Sequence, residues 1–231
     1  MKHLIFDCGG VLVYPHLGDW NLPLTLPEVL GERAGDIATP RYAEAHRKSA
    51  RWLDESRLVL DTGAERRLRT EYIRSMDALM GWHLTPAEIA RLGEDFTDNA
   101  LRYGCFDDVA PWLARWKGRY SLGVLSDAMP SILRFMDHYG ILAPFDAVVI
   151  STQVGATKPG PRMYAAILQA LDADPADCLF VDDRRCNVEG AVAAGMVAAQ
   201  MSRPEFPADA LWDGPVVHNF SELNDLLEAL R

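Results

Sequence analysis

The sequence predicts an α/β fold, a parallel sheet covered by helices on both faces and interrupted early by a block of helices. Three observations carry that expectation. Short apolar runs that each stop at a polar residue alternate with helical patterns after residue 104, the signature of strand–helix units. Residues 15–103 lack β-branched runs and repeat their apolar residues at helical spacing. The first run, His3 to Phe6, ends at Asp7-Cys8-Gly9-Gly10, a buried strand closing in a glycine-permitted turn with a carboxylate at its C-terminal end.

In order, the helical block spans about 15–103. Leu68, Tyr72, Met76, Leu79 and Met80 share one helical face, and four or so helices are expected. Their starts are marked by capping boxes, a hydroxyl residue followed three positions later by Glu: Thr25/Glu28, Thr62/Glu65 and Thr85/Glu88, the last with Pro86 at the first helical position. Arg66, Arg67 and Arg69 read as a solvated helix face. Tyr120 to Leu125 is then a strand ending in Ser126-Asp127, followed by a helix through Leu133 and Met136. Ala147 to Ile150 ends in Ser151-Thr152, and a helix bearing Tyr164, Ile167, Leu168 and Leu171 follows Lys158-Pro159. Cys178 to Val181 ends in Asp182-Asp183, a helix carries Val188, Ala191 and Val192, and Met196 to Gln200 is the fifth strand. Met201 to Pro215, with three prolines, reads as a surface connection.

Composition narrows the function. Among 231 residues, 23 Lys and Arg face 33 Asp and Glu, a net charge of −10. That balance speaks against a nucleic-acid or anionic-membrane binder, since both need a basic face. At 49% hydrophobic and 24% charged the chain has the composition of an ordinary globular protein. Cys8, Cys105, Cys178 and Cys186 show neither CxxC pairing nor disulfide-scaffold density, and the N-terminus lacks an apolar leader. A reducing cytoplasm is the expected setting; the oligomeric state stays open.

In sheets of this class ligands bind beyond the carboxyl ends of the strands. Asp7, Ser126, Ser151 and Asp182-Asp183 stand at those ends, with Lys158 in the loop after the third strand. Clustered carboxylates need a compensating cation. An oxygen-only set with room for water and phosphate suits Mg²⁺, whereas the scattered histidines offer no zinc spacing. A carboxylate beside such a cation can attack a phosphoryl group, with Asp7 the candidate nucleophile. The Ser126 hydroxyl, nearby backbone N–H groups and the Lys158 ammonium would supply donors to the phosphoryl oxygens. Cys8 points away from Asp7 by strand alternation and reads as packing. Trp112 and Trp116, at i and i+4, read as core or domain-joint residues, and Trp20 as a packing residue that is also the better substrate-contact candidate.

Together the residues resemble the haloacid dehalogenase superfamily through four ordered motifs: Phe6-Asp7-Cys8-Gly9-Gly10-Val11-Leu12; Leu125-Ser126-Asp127; Val154-Gly155-Ala156-Thr157-Lys158-Pro159; and Leu179-Phe180-Val181-Asp182-Asp183 with Asn187-Val188-Glu189-Gly190-Ala191 behind it. The resemblance implies a Rossmann-like doubly wound core, residues 1–14 and 104–231, with an α-helical cap over 15–103. It implies Asp7 as nucleophile and Mg²⁺ ligand, Asp183 and Asp182 as further ligands, and a metal contact from the Gly9 backbone carbonyl. Lys158 would neutralise charge on nucleophile and phosphate, while Ser126, Asp127, Gly10 and Asn187 would form the phosphate-binding set. The substrate implied is a small phosphorylated metabolite.

One departure matters: family phosphatases usually carry a second Asp two positions after the nucleophile, where it works as acid and base, and here that position is Gly9. General acid–base help is commonly worth about 10²–10⁴-fold. Asp127, Tyr14 and His16 read first as ordinary loop residues and are the candidates to replace that acid. The expected function is therefore an Mg²⁺-dependent phosphatase, ahead of a weakly active or non-catalytic binder of phosphorylated ligands. A dehalogenase ranks third, because a neutral carbon–halogen centre has no use for two adjacent carboxylates; a phosphotransferase or mutase would share the same nucleophile and metal site.

Overall fold

The computed structural model describes residues 1–55, 58–208 and 210–230. The chain divides into two compact units, residues 1–14, 104–128 and 136–231 in one and residues 15–103 and 129–135 in the other.

The first unit is built on a six-stranded parallel sheet: β1 (His3–Phe6), β4 (Ser121–Ser126), β5 (Ala147–Ile150), β6 (Cys178–Asp182), β7 (Val197–Met201) and β8 (Val216–Val217), ordered β5-β4-β1-β6-β7-β8. Strand order reverses at β1, which pairs with β4 on one side and β6 on the other, and Phe6 lies level with both Val124 and Val181. That register brings the carboxyl ends of the three strands together at the switch point, where open sheets of this kind bind ligands. Leu4, Ile5 and Phe6 are fully buried, as a strand covered on both faces requires.

Alternation along β1 sends its side chains to opposite layers. Ile5 joins Leu125, Phe180, Tyr164, Ile167 and Val188 in one cluster, beneath α8 (Pro161–Leu171) and α9 (Arg185–Ala193). Phe6 instead meets Trp116 at 5.9 Å and Phe220 at 5.4 Å between ring centroids, from α5 (Val109–Trp116) and α10 (Phe220–Ala229). Trp116 is thus a core residue, and the partly buried Trp112 packs on it at 5.3 Å. The remaining helices of the strand-rich half are α6 (Ile132–His138) and the single turn α7 (Ser151–Val154). A short ladder, β2 (Val13–Pro15) with β3 (Tyr103–Cys105), lies where the chain enters and leaves the helical block.

The second unit holds α1 (Leu26–Leu30), a 3₁₀ stretch Gly31–Ala38, α2 (Pro40–Glu55), α3 (Thr62–Met80) and α4 (Pro86–Asp98). Its core gathers Leu30, Leu53, Tyr72, Ile73, Met76, Trp82, Leu92 and Phe96. Helices α3 and α4 approach closely at Gly93, where a Cβ would lie 2.2 Å from the Thr70 hydroxyl oxygen. Four of the described helices fall in 15–103, as the periodicity indicates.

The helix starts divide the expectations. At Thr85 the box forms in full, with its hydroxyl accepting from the Glu88 N–H and the Glu88 carboxylate accepting from the Thr85 N–H at 2.7 Å. At Thr62 it does not: Asp61 caps α3 by accepting from the Ala64 N–H at 2.7 Å. A carboxylate acceptor one position earlier displaces the hydroxyl, and Glu65 is buried elsewhere in the unit. Thr25 makes no side-chain cap, because its backbone is already helical (φ −87°, ψ −1°) and Glu28 pairs with Arg91 at 2.9 Å. Arg69, expected on a solvated face, is buried with its guanidinium 4.5 Å above the Phe96 ring and 2.6 Å from the Asn21 side-chain oxygen. Leu79 and Val192, placed by period on apolar faces, are exposed. Within the connection after β7, Ser202 and Arg203 are buried, the latter donating twice to the Val11 carbonyl at 2.9 and 3.1 Å. No described helix is long and apolar enough to cross a membrane.

Candidate active site

At the C-terminal end of β1, Asp7 is buried and its backbone N–H donates to the Val181 carbonyl at 2.8 Å. Its carboxylate meets the Lys158 ammonium at 2.7 Å and the Ser126 hydroxyl, which hydrogen-bonds to it. Oxygens of Asp7, Asp182 and Asp183 all lie within 4.8 Å of one another, the one such group among the described residues. Burial, opposed by Lys158 and helped by the Asp182 charge, pushes Asp7 up to about 6. Burial together with the Asp7 and Asp182 charges pushes Asp183 up to about 8.

Lys158 reaches the centre from the loop before α8 and spends its ammonium on three oxygens: Asp182 at 2.6 Å, Asp7 at 2.7 Å and the Leu125 carbonyl at 3.0 Å. Burial opposes its charge, but the Asp182, Asp7 and Asp127 carboxylates outweigh that and hold it above its usual value. One lysine against the four carboxylates of Asp7, Asp127, Asp182 and Asp183 leaves an excess of negative charge in a buried place, which a divalent cation would balance. The donors are carboxylate oxygens only, matching a hard cation.

The adjacent acidic pair is unequal. Asp182 is saturated: one oxygen accepts from the Arg184 N–H at 2.8 Å, the other from Lys158, and the Asn187 amide donates to both at 3.0 and 3.1 Å. Asp183 stands beside Gly10, where a Cβ would fall 2.7 Å from a carboxylate oxygen. Gly10 also has φ +70°, so two independent demands call for glycine there. Gly9 bridges to Val13 and is not among the glycines with positive φ.

Asp127 turns its carboxylate to the Lys158 N–H at 3.0 Å, fixing the lysine's loop, and burial raises its pKa. Of the other alternative proton donors, Tyr14 packs its ring 4.9 Å from Phe106 and crosses Gly104. His16 is exposed, with its backbone N–H on the Arg102 carbonyl. Trp20 lies in the helical unit with its ring 5.4 Å from Tyr103. Cys8 is buried and its thiol is pushed up by burial, so it is no thiolate.

Several supporting residues escape a reading by motif. Tyr164 donates to the Asn187 carbonyl at 2.7 Å, and Gln200 donates to the Asp183 carbonyl at 2.9 Å. Gln200 carries a legible signal, a polar residue in an otherwise apolar strand; Tyr164 looks like any aromatic on a helix's apolar face. Ser151 accepts from the Ala128 N–H at 3.1 Å and Thr152 donates to the Ala128 carbonyl at 2.9 Å, pinning the loop after Ser126.

A model of the haloacid dehalogenase-like hydrolase family matches residues 1–195. A phosphatase of Mycobacterium tuberculosis is 41% identical over 83 residues, 36% of each chain. The phosphoserine phosphatase of Thermus thermophilus is 30% identical over 127 residues, 54% of this chain and 51% of that one. The matches therefore span about half or less of those relatives' length. An L-2-haloacid dehalogenase from Xanthobacter autotrophicus shares the fold, with a TM-score of 0.70 at 20% identity over 100% of both chains. With the family model matching most of its length and the parallel sheet and helical insertion in place, the chain belongs to the haloacid dehalogenase-like hydrolases.

Proposed function

We propose that the protein is an Mg²⁺-dependent phosphatase that hydrolyses a small phosphomonoester through a phosphoryl group carried on Asp7. The observation that supports this most is the placement of Asp7: a buried carboxylate at the sheet's switch point, touched by Lys158 and Ser126 and within 4.8 Å of the Asp183 and Asp182 oxygens. Asp7 and Asp183 would hold the cation, with the Gly9 carbonyl beside them. Asp182, its lone pairs already taken, orients Lys158 and Asn187 in this reading and is a ligand only indirectly.

When bound, Mg²⁺ supplies Lewis-acid stabilisation of the phosphoryl oxygens. The chain's own residues do the rest. An Asp7 oxygen forms a bond to phosphorus as the bond to the leaving oxygen breaks; water then attacks phosphorus and returns Asp7 as a carboxylate. Lys158 keeps Asp7 oriented and offsets charge on it through both steps. Ser126 donates to a phosphoryl oxygen, joined by the Asp127 backbone N–H; the Gly10 N–H, expected in the same set, is held by the Val13 carbonyl at 2.8 Å. Asn187 acts through Asp182. The helical unit serves as the cap that excludes water and selects the substrate. The phosphatases among the relatives support phosphorus over carbon as the point of attack.

Gly9 leaves the leaving group without a carboxylic acid at the usual place. The activity should then favour substrates whose leaving groups depart unprotonated. Phosphate release from a panel of phosphoesters that includes an activated aryl phosphate, with and without Mg²⁺ and with Asp7→Asn alongside, tests the reading. Metal-dependent release that vanishes in the variant is expected. Silence across the panel from a protein that still binds Mg²⁺ would favour a binder of phosphorylated ligands.

A further inference from the structure

Glu65 is fully buried on α3, which is costly for a carboxylate unless its oxygens are bonded. Both are. One accepts from the Ser131 N–H at 2.8 Å and the other from the Ser131 hydroxyl at 2.7 Å, with the Arg69 Nε 3.9 Å away. Ser131 is itself buried, and its carbonyl accepts from the Arg134 N–H at 3.0 Å and the Phe135 N–H at 3.4 Å at the start of α6. An apolar residue would pack α3 as well; a two-point grip on one serine fixes position as well as contact.

What the grip fixes lies a few residues upstream. Residues 129–135 pack as part of the helical unit although the sequence runs on directly from β4. Arg134 donates to the Thr97 carbonyl at 3.3 Å and pairs with Asp98, and Phe135 meets Tyr103 at 4.6 Å. On the other side, Asp127 is tied to the Lys158 N–H and Ala128 to Ser151 and Thr152. The segment is therefore gripped at 127–128 by one unit and at 131 by the other. Only residues 129 and 130 separate the two anchored positions, so a displacement of Ser131 reaches Ala128 through a short stretch of chain.

We infer that Glu65, through Ser131, is a positioning residue for the Ser126–Ala128 loop and so for the phosphate-binding donors on it. The inference rests on the reading of Ser126 and the Asp127 N–H as those donors. Glu65 touches neither substrate nor reacting atoms.

The test compares Glu65→Gln, Ser131→Ala and the double variant with Ser49→Ala. Ser49 is buried in the same unit as Glu65 and hydrogen-bonds to Ser75 at 2.8 Å, so its variant reports what losing one buried hydrogen bond does by itself. Hydrogen exchange of the amides at 126–131 is the readout independent of turnover. Exchange there should rise by about tenfold or more in Glu65→Gln and Ser131→Ala and stay unchanged in Ser49→Ala. On an active phosphoester, kcat should fall by about tenfold with the Mg²⁺ midpoint unchanged. The double variant should be no slower than either single, because both remove one grip. Unchanged exchange at 126–128 in both single variants would overturn the inference, as would a kcat loss matched by Ser49→Ala at equal loss of Tm. If Glu65→Gln fails to fold, Ser131→Ala decides alone. A wild-type protein silent on every phosphoester would defeat the proposed activity, and the exchange comparison would still decide the tether.

Discussion

Replacing Gly10 by alanine separates a backbone cost from a site cost. At φ +70° an alanine carries the left-handed penalty of about 1–2 kcal/mol. Gly140 has nearly the same angle, φ +66°, with nothing within 4 Å of a Cβ, so Gly140→Ala measures that penalty alone. At Gly10 the new methyl would lie 2.7 Å from an Asp183 oxygen and 2.9 Å from its carboxyl carbon. Ordinary contact begins at 3.4 Å, so the carboxylate must retreat by about 0.7 Å, beyond the roughly 0.2 Å that metal–ligand distances tolerate. Mg²⁺ affinity should drop by at least tenfold, which removes about 1.4 kcal/mol of ligand-induced stability. For a protein of this size that is roughly 3–6 °C of the Mg²⁺-induced rise in Tm. The assay is thermal unfolding against MgCl₂ for wild type and both variants. Gly140→Ala should lower Tm and keep the Mg²⁺ increment; Gly10→Ala should lower Tm and lose most of it. An undiminished increment in Gly10→Ala would refute the placement of Asp183 at the metal.

Asp7 and Asp183 have folded pKa values raised from 3.8 to about 6 and about 8 by burial first. A carboxylate raised on folding takes stability away as pH climbs from its unfolded value through its folded one, so the Mg²⁺-free protein should lose stability between about pH 4 and pH 8. Mg²⁺ needs both groups ionised, so its stabilising increment should grow over the same range; a flat increment from pH 5.5 to 8.5 would contradict this. Gly9→Asp, at a position without positive φ, should raise turnover on alkyl phosphates more than on activated aryl phosphates, checked by the ratio of kcat/KM values. Thr85→Ala should cost about 1 kcal/mol in urea unfolding, and Thr62→Ala and Thr25→Ala much less, because only Thr85 caps its helix with its side chain.

The legible part of the fold was the part decided locally. The runs 4–6 and 178–181 are buried on both faces, so they are apolar throughout and stop where the chain meets solvent or ligand. The two-residue β8 and the ladder of β2 with β3 are too short to carry a period, and they exist through pairing with strands distant in sequence. Glu65 and Arg69 misled for a related reason: local rules assign them to a cap and a solvated face, whereas Ser131 and Asn21, far away in the chain, draw them inward. At the site, Asp7, Ser126, Asp182 and Asp183 could be found because strand ends are places where sequence order maps onto space, and Lys158 because it stands in a loop on the same side of the sheet. The division of labour within Asp182-Asp183 was not legible. It depends on which carboxylate Lys158, Asn187 and the Arg184 N–H reach, and adjacency in sequence holds no information about that.

If Asp7 carries the phosphoryl group, a covalent adduct forms on it during turnover. The most direct measurement mixes the enzyme with Mg²⁺ and an activated aryl phosphate, quenches in acid within the first turnover, and locates any added phosphoryl group by peptide mass spectrometry. An acid-stable, hydroxylamine-labile adduct on the peptide containing Asp7, absent in Asp7→Asn, is expected. Turnover with full release of phosphate from Asp7→Asn, or an adduct on another residue, would contradict it.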